Sequence, residues 1–421
     1  MSWFCLPIEQ GGLGILNIED VQKIAHISAI FRLRKYRDGF VELLNSTPQV
    51  PEAMGRFVRD LHSDLRYLKD FLGLGNRNDV TMDDIMTELD KISVSLRKNK
   101  EQTFQNVLYH MVHAGQKEKL ELLLSRSPVL QLHYKSLVNN TAGKWLQVFP
   151  RYSDFSIGNE EYSIGLCFRY MIGVPPINRH DVCPFCAKDG CFIDLTGHHF
   201  VSGCMKDVMG SNGKPLKAQR HSNHDFLRTT LYNCCKHAMT RAYEEPAGMF
   251  LDAVKKDRPD LSVEFPNAEG RLLRFAVDLT IVCPFEGSGK GVLEPANVPG
   301  TFTGEKHDYK AHCAANTKKN KYGAHCKASE IILIPFVMYT TGKLHKTAYD
   351  WLKQMSRYAG PRRDIPNNTL FRYWLKVLSV QLVKRIGYTI HHRAMAMLSG
   401  NMNLRAAIRN GNAVALEMGR A

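Results

Sequence analysis

A chain of 421 residues, 44% of them apolar, is long enough for two or three domains, each with a core of its own. Its formal net charge of +15 points to an anionic partner, and the lack of a basic amphipathic anchor favours nucleic acid over a membrane surface. The longest apolar run, Ile331 to Tyr339, is far too short to span a bilayer, and the stretch MSWFCLPIEQGG has neither the basic nor the apolar segment of a secretory leader. Eleven unevenly spaced cysteines in such a chain read as reduced thiols, some of them metal ligands, in a nuclear or cytoplasmic protein that is not secreted.

Taken in order, residues 1–40 open with the glycine loop LPIEQGGLGI (Leu6 to Ile15) and continue as a helical pattern from Glu19 to Arg37. Residues 41–140 read as amphipathic helix, with leucines at helical spacing in EKLELLLSRSPVLQLHYKSLV. Residues 141–208 change character and end in a Cys/His-rich patch, and Met209 to Gln219 reads as a linker. From 215 to 400 the order is helix, hairpin, long loop, helix, strand, helix. That alternation predicts a mixed α/β domain, a sheet flanked by helices, closed by a long helix over Leu370 to Met397 and a tail at 401–421.

Two look-alike motifs carry nothing. Thr81 to Asp84 (TMDD) is a helix N-cap with acidic residues in the first turn, not a polymerase turn. Gly287 to Gly291 (GSGKG) lacks the Ser or Thr of a phosphate loop. No segment resembles a nucleophile elbow.

The metal signal is CPFC at Cys183 and Cys186, followed by His199 and Cys204 in HHFVSGC. Three thiolates and one imidazole at that knuckle spacing close a tetrahedron around Zn²⁺. His198 is the alternative to His199, and Cys191 is a nearby spare. A structural zinc would order a segment too loop-rich to fold alone.

The second constellation is RPDL at Arg258 to Leu261 with FAVDLTIV from Phe275 to Val282. LSVEF alternates as a strand, PNAEG is turn chemistry, and RLLRFAVDLTIV is a second strand. Pairing Pro266 with Arg271 places Asp260 opposite Val277, beside Asp278. Val277, Leu279 and Ile281 then face a core, with Asp278 and Thr280 on the other side. Two adjacent carboxylates form a hard-oxygen site for Mg²⁺, and one of Glu244 or Glu245, read as the end of a helix beginning near His224, stands as a third. Downstream, the basic stretch Lys306 to Lys327 puts Lys310, Ala314, Lys318 and Lys321 on one helical face. A lysine aimed at the carboxylates orients water or offsets phosphate charge. Arg220 and His221, opening the helix before the hairpin, are candidates for nucleic-acid backbone contacts.

In this order, LPIEQGGLGI, Trp145 with Pro150, FRYMIG, CPFC with HHFVSGC, RH, EEP, RPDL, VDLTIV and KKNKY resemble the C-terminal half of non-LTR retrotransposon polyproteins with a restriction-enzyme-like endonuclease. The resemblance implies a reverse transcriptase thumb remnant, a Cys-Cys-His-Cys zinc knuckle and an endonuclease core of the PD-(D/E)XK class. Asp260 and Asp278 would bind Mg²⁺, and Lys318, Lys321 and Tyr322 would match the family's lysine, lysine, tyrosine signature. The implied activity is nicking of double-stranded target DNA to prime copying of the element's RNA. The polymerase palm and fingers are missing, so the chain looks like a truncated or domesticated fragment that synthesises no DNA. The 39 residues between Asp278 and Lys318 exceed the family's usual gap, which leaves Lys306 and Lys310 as alternatives. Two other classes remain: a catalytically inactive zinc-containing nucleic-acid-binding remnant, and a protein scaffold in which zinc is structural.

Overall fold

The computed structural model describes residues 3–15, 17–36, 63–64, 66–69, 72, 74, 82–96, 103–149, 152–175, 177, 183, 192–203, 219–250, 258–267, 269–287, 293–300, 302–303 and 305–399. The chain divides into two compact units, Met1–Arg126 and Ser127–Ala421. No described helix is long and apolar enough to cross a membrane.

In the first unit, helices α1 (Ile18–Tyr36), α2 (Met82–Leu96) and α3 (Phe104–Leu124) bury Ile24, Ile27, Ile85, Leu89, Leu108 and Val112 in one cluster. Apolar residues three and four apart on each helix make that stripe. Buried Asp20 ties α1 to its neighbours, taking hydrogen bonds from Tyr67 and, at 2.8 Å, from Gln116. The glycine loop ahead of α1 has a steric reason. Gly11 and Gly14 hold φ of +88° and +68°, and a Cβ on Gly12 would lie 1.8 Å from the Leu6 carbonyl oxygen.

The second unit runs α4 (Pro128–Leu137), α5 (Asn159–Arg169), α6 (Gln219–His237), β1 (Arg241–Glu244), β2 (Leu261–Pro266), β3 (Leu272–Val282), β4 (Phe285–Gly287), β5 (Leu293–Pro295), α7 (Tyr309–Ala328), β6 (Ile332–Tyr339), α8 (Lys346–Arg363) and α9 (Asn367–Ser399). The main sheet has strand order β1-β2-β3-β6; its first two pairings are antiparallel and β3–β6 is parallel. It is therefore a mixed α/β fold, and the two short strands β4 and β5 pair separately.

Strand periodicity of two sorts the sheet's side chains. Ala242, Val263, Phe275, Val277, Leu279, Ile334 and Phe336 join the large core with residues of α5, α6, α8 and α9. Trp351 of α8 sets its ring edge-on to Phe275 and Phe336. On the opposite face Ala276 packs with Tyr322 and Cys326 of α7, and Val337 and Tyr339 pack with Ala311 and Ala315 of the same helix. Covering on both faces explains the nearly continuous apolar runs of β3 and β6.

Two expectations are corrected here. Helix α6 ends at His237, because Met239 turns left-handed (φ 59°) and the Met239 and Thr240 amides close the end on the Lys236 and Cys235 carbonyls. Glu244 therefore ends strand β1, and Glu245 follows it with φ 43°; neither terminates a helix. The hairpin register is also shifted by one. Pro266 pairs with Leu272, not Arg271, because Asn267 spends its side chain on the turn, accepting from the Glu269 and Arg271 amides at 3.0 Å each.

Candidate active site

With that register, Leu261 lies opposite Val277, and Asp260, one residue before β2, falls across from Asp278 rather than Val277. Asp278 shares a face of β3 with Ala276 and Thr280, the face that α7 covers. It is 3% exposed. The buried stripe of α7 runs Ala311, Ala315, Tyr322, Cys326, at helical spacing. Lys318 falls within that stripe, so its stem runs along the helix–sheet seam and its ammonium reaches Asp278 Oδ2 in an ion pair.

Asp260 is held from a different side. Its Oδ2 accepts the Leu279 backbone N–H at 2.6 Å and lies 3.2 Å from His224 Nε2. Nε2 also lies 3.1 Å from the Leu279 carbonyl oxygen. His224 sits in the first turns of α6, and the buried Asn223 beside it fixes that end of the helix. Asn223 Oδ1 accepts from Arg385 Nε at 3.3 Å and from the Thr389 hydroxyl at 3.2 Å, both on α9.

The electrostatics of the two acids split. Burial works to raise Asp260, but the hydrogen bond and charge of His224, the Leu279 amide and the charge of Lys318 outweigh it and hold the carboxyl below the ordinary range. Asp278 is pushed up, by burial first and by the Asp260 charge second, with Lys318 only partly offsetting them. For His224, burial favours the neutral ring, yet Asp260, the Leu279 carbonyl and Asp225 together raise its pKa. Two carboxylates whose affinities for a proton are driven apart share one negative site with one lysine at its edge.

The remaining candidates sit around this pair. Glu245 is turned away from it, its carboxylate bound by Arg228 and, at 2.7 Å, by Arg258. It supplies no third carboxylate; its backbone N–H instead donates to the Asp260 carbonyl at 2.8 Å. Lys321 is also directed elsewhere: its Nζ lies 2.9 Å from the Tyr322 hydroxyl and 4.6 Å from the centre of that ring. Tyr322 is a packing residue, 2% exposed. Lys306 lies in the short turn before α7 and Lys310 in its first turn, and Lys318 is the lysine of this stretch that pairs with one of the two carboxylates among the described residues. The Thr280 hydroxyl, two residues along β3 from Asp278, is buried with no hydrogen-bond partner among the described residues.

Of the proposed zinc ligands, Cys183 (2% exposed) and His199 (7%) are buried, the former in the large core. Cys186 and Cys204 lie outside the described residues, as does the spare Cys191. Arg220 and His221 are on the first turn of α6, and their side chains lie outside the described residues. Among the described residues no group of three or more His, Cys, Asp and Glu side chains gathers as a metal site.

His224, Arg228 and the Arg258 side chain are absent from the candidates named from sequence. His224 meets Asp260 across 36 residues and Leu279 across 55, separations that no local pattern encodes. Compared with known proteins, the chain matches no protein-family model and no curated protein.

Proposed function

We propose that residues 215–400 act as a Mg²⁺-dependent DNA endonuclease, a nickase of the PD-(D/E)XK kind, as in the target-site-cleaving domain of non-LTR retrotransposons. The observation that carries this reading is the meeting of Asp278 with Lys318, with Asp260 across the strand pair. The donor set fits a hard cation. Among the described residues Asp260 Oδ1 takes part in no hydrogen bond and Thr280 Oγ1 is buried without a partner, and Asp278 adds a second carboxylate. Bound there, Mg²⁺ would activate water and neutralise charge on the scissile phosphate.

The chain's own groups supply the rest. Lys318 brings a fixed positive charge to the edge of the carboxylate pair, where it stabilises charge building on a phosphate oxygen. Arg258 and Lys321, both exposed, flank the RPD turn, and Lys319 and Lys327 lie on the exposed side of α7. Such cations hold a duplex by its phosphates, so binding weakens steeply as salt rises. The partner is double-stranded DNA, with element RNA as a second partner and the nucleus as the site of action.

A structural zinc on Cys183, Cys186, His199 and Cys204 belongs to the same proposal. The two described members, Cys183 and His199, are buried, and a shared metal would order the loop-rich segment that carries them. Metal analysis of the purified chain is expected to return about one zinc per molecule; a value near zero removes the knuckle.

Plasmid nicking in Mg²⁺ tests the activity. Wild-type protein should convert supercoiled to open-circular DNA, and Asp260→Ala should leave it supercoiled. Equal residual supercoiled DNA in both ends the enzyme reading, and salt-sensitive gel shifts would then mark a nucleic-acid-binding protein that does not cut.

A further inference from the structure

We infer that His224 is a positioning residue for the carboxylate pair: it fixes Asp260 by one oxygen so that the other, Oδ1, is presented to a divalent cation. The inference rests on the reading of Asp260 and Asp278 as cation-binding carboxylates and adds a residue to it.

The geometry assigns the tautomer. His224 Nε2 lies 3.1 Å from the Leu279 carbonyl oxygen, which can only accept, so Nε2 carries the hydrogen. That N–H is shared with Asp260 Oδ2 at 3.2 Å, and the Leu279 N–H reaches the same Oδ2 at 2.6 Å. One peptide group of β3 and one imidazole therefore clamp a single carboxylate oxygen. Every hydrogen bond of the Asp260 side chain among the described residues falls on Oδ2. The rotation of the carboxylate about its last bond is thereby fixed, and Oδ1 keeps its lone pairs.

His224 is itself held in place by its helix, which is pinned to α9 through the neighbouring Asn223. The ring thus joins α6 to the point where the two acids converge. Hydrogen-bonded supports of metal-binding groups orient the ligand, and their loss costs about 10- to 100-fold in metal affinity. A purely structural bridge between α6 and β3 predicts something different: lost stability with unchanged affinity for the cation in whatever protein remains folded.

The test is calorimetric titration of the purified full chain with Mn²⁺. Asp260→Asn defines the heat that belongs to this site, and circular dichroism melts confirm folding. His224→Met removes the donor at similar volume, and His224→Gln keeps an N–H on a side chain of comparable reach. The expected result is a Kd raised about 10- to 100-fold by His224→Met and largely restored by His224→Gln. A folded His224→Met protein that binds Mn²⁺ like wild type overturns the inference. So does a folded His224→Gln protein tenfold or more weaker than wild type, which alone decides the matter if the Met variant does not fold. Wild type without Asp260-dependent heat also overturns it. Wild type that binds Mn²⁺ through Asp260, with His224 dependence, but leaves plasmid intact in Mg²⁺ and Mn²⁺ overturns the nuclease reading and leaves this one standing.

Discussion

The Tyr322 hydroxyl donates a 3.1 Å hydrogen bond to the carbonyl of Arg258, two residues ahead of Asp260. Helix α7 thus contributes twice to the same place: Lys318 meets Asp278, and one turn later Tyr322 fastens the segment that delivers Asp260. Tyr322→Phe keeps the ring packed against Phe250 and removes the tether together with the bond that the hydroxyl accepts from the exposed Lys321, which adds little. It should cost about 1 kcal/mol of stability, the net worth of one hydrogen bond. Because the tether ends so near Asp260, nicking should fall more than stability does. Urea titration and initial nicking rates on the same preparations compare the two; equal nicking by Tyr322→Phe and wild type would show that the tether does not tune the site.

The acid pair should show opposite effects on stability and activity. Asp278 is buried facing another acid, and both burial and that neighbour disfavour its charged form. Asp278→Asn removes the repulsion, and Lys318, with 25% of its side chain exposed, can turn its ammonium to water. The variant should melt at or above the wild-type temperature while nicking falls to background. Lys318→Met should do the reverse to stability, stranding the carboxylate at about 2 kcal/mol, less than the 3–5 kcal/mol of a fully enclosed pair. The double variant should recover most of that loss, a coupling that a double-mutant cycle of melting curves reads directly. A destabilised Asp278→Asn would show that the carboxylate is a net structural asset.

Much of this site was legible in the sequence because its parts are local. RPDL and VDLTIV flank one turn, alternation puts Asp278 on the face away from the large core, and helical spacing brings Lys318 into the buried stripe of α7. The register differs by one residue from the pattern's expectation for an equally local reason: Asn267 accepts two backbone amides and lengthens the loop, which turns Asp260 towards Asp278. Glu245 follows a strand and does not end a helix, because α6 stops early and without glycine or proline. Met239 takes the left-handed conformation instead, and four residues of strand follow. The role of His224 required knowing that α6 crosses the end of the hairpin, which is a property of the packed core and of no short segment.

Helix α9 crosses α5 on small residues. A Cβ on Gly387 would lie 2.6 Å from the Glu161 Cα, and a Cβ on Gly165 would lie 2.7 Å from Val383 Cγ1. Alanine is the better helix former by about 1 kcal/mol, but overpacking against backbone that cannot move costs more. Gly387→Ala should therefore lose about 2 kcal/mol net, lowering the melting temperature by roughly 4–8 °C. Gly323 in α7 is the control, since a Cβ there meets nothing within 4 Å. Gly323→Ala should gain roughly 0.5–1 kcal/mol. Opposite signs in the two melts support close packing of α5 on α9; a gain at both positions would mean that the crossing relaxes.

His133 gives the second unit an acid-side limit. Its ring is fully buried, stacks on Phe285 and lies 2.7 Å from the Arg169 carbonyl, to which its Nε2–H donates. Burial first, and the neighbouring His198 second, lower its pKa to about 3. The sign follows from linkage. In the unfolded chain the imidazole protonates below about 6.5 while the folded ring stays neutral, so unfolding gains a proton and stability falls as pH falls. Each pH unit below 6.5 and above the folded value removes about 1.4 kcal/mol, so moving from pH 6.5 to 5 costs about 2 kcal/mol from this residue alone. His133→Gln keeps a donor near the Arg169 carbonyl and carries no titratable group. Guanidinium unfolding followed by tryptophan fluorescence at pH 7 and pH 5 should show a smaller loss of stability in His133→Gln than in wild type. Identical losses in the two proteins would mean that the ring is protonated within the fold, or that acid sensitivity arises elsewhere.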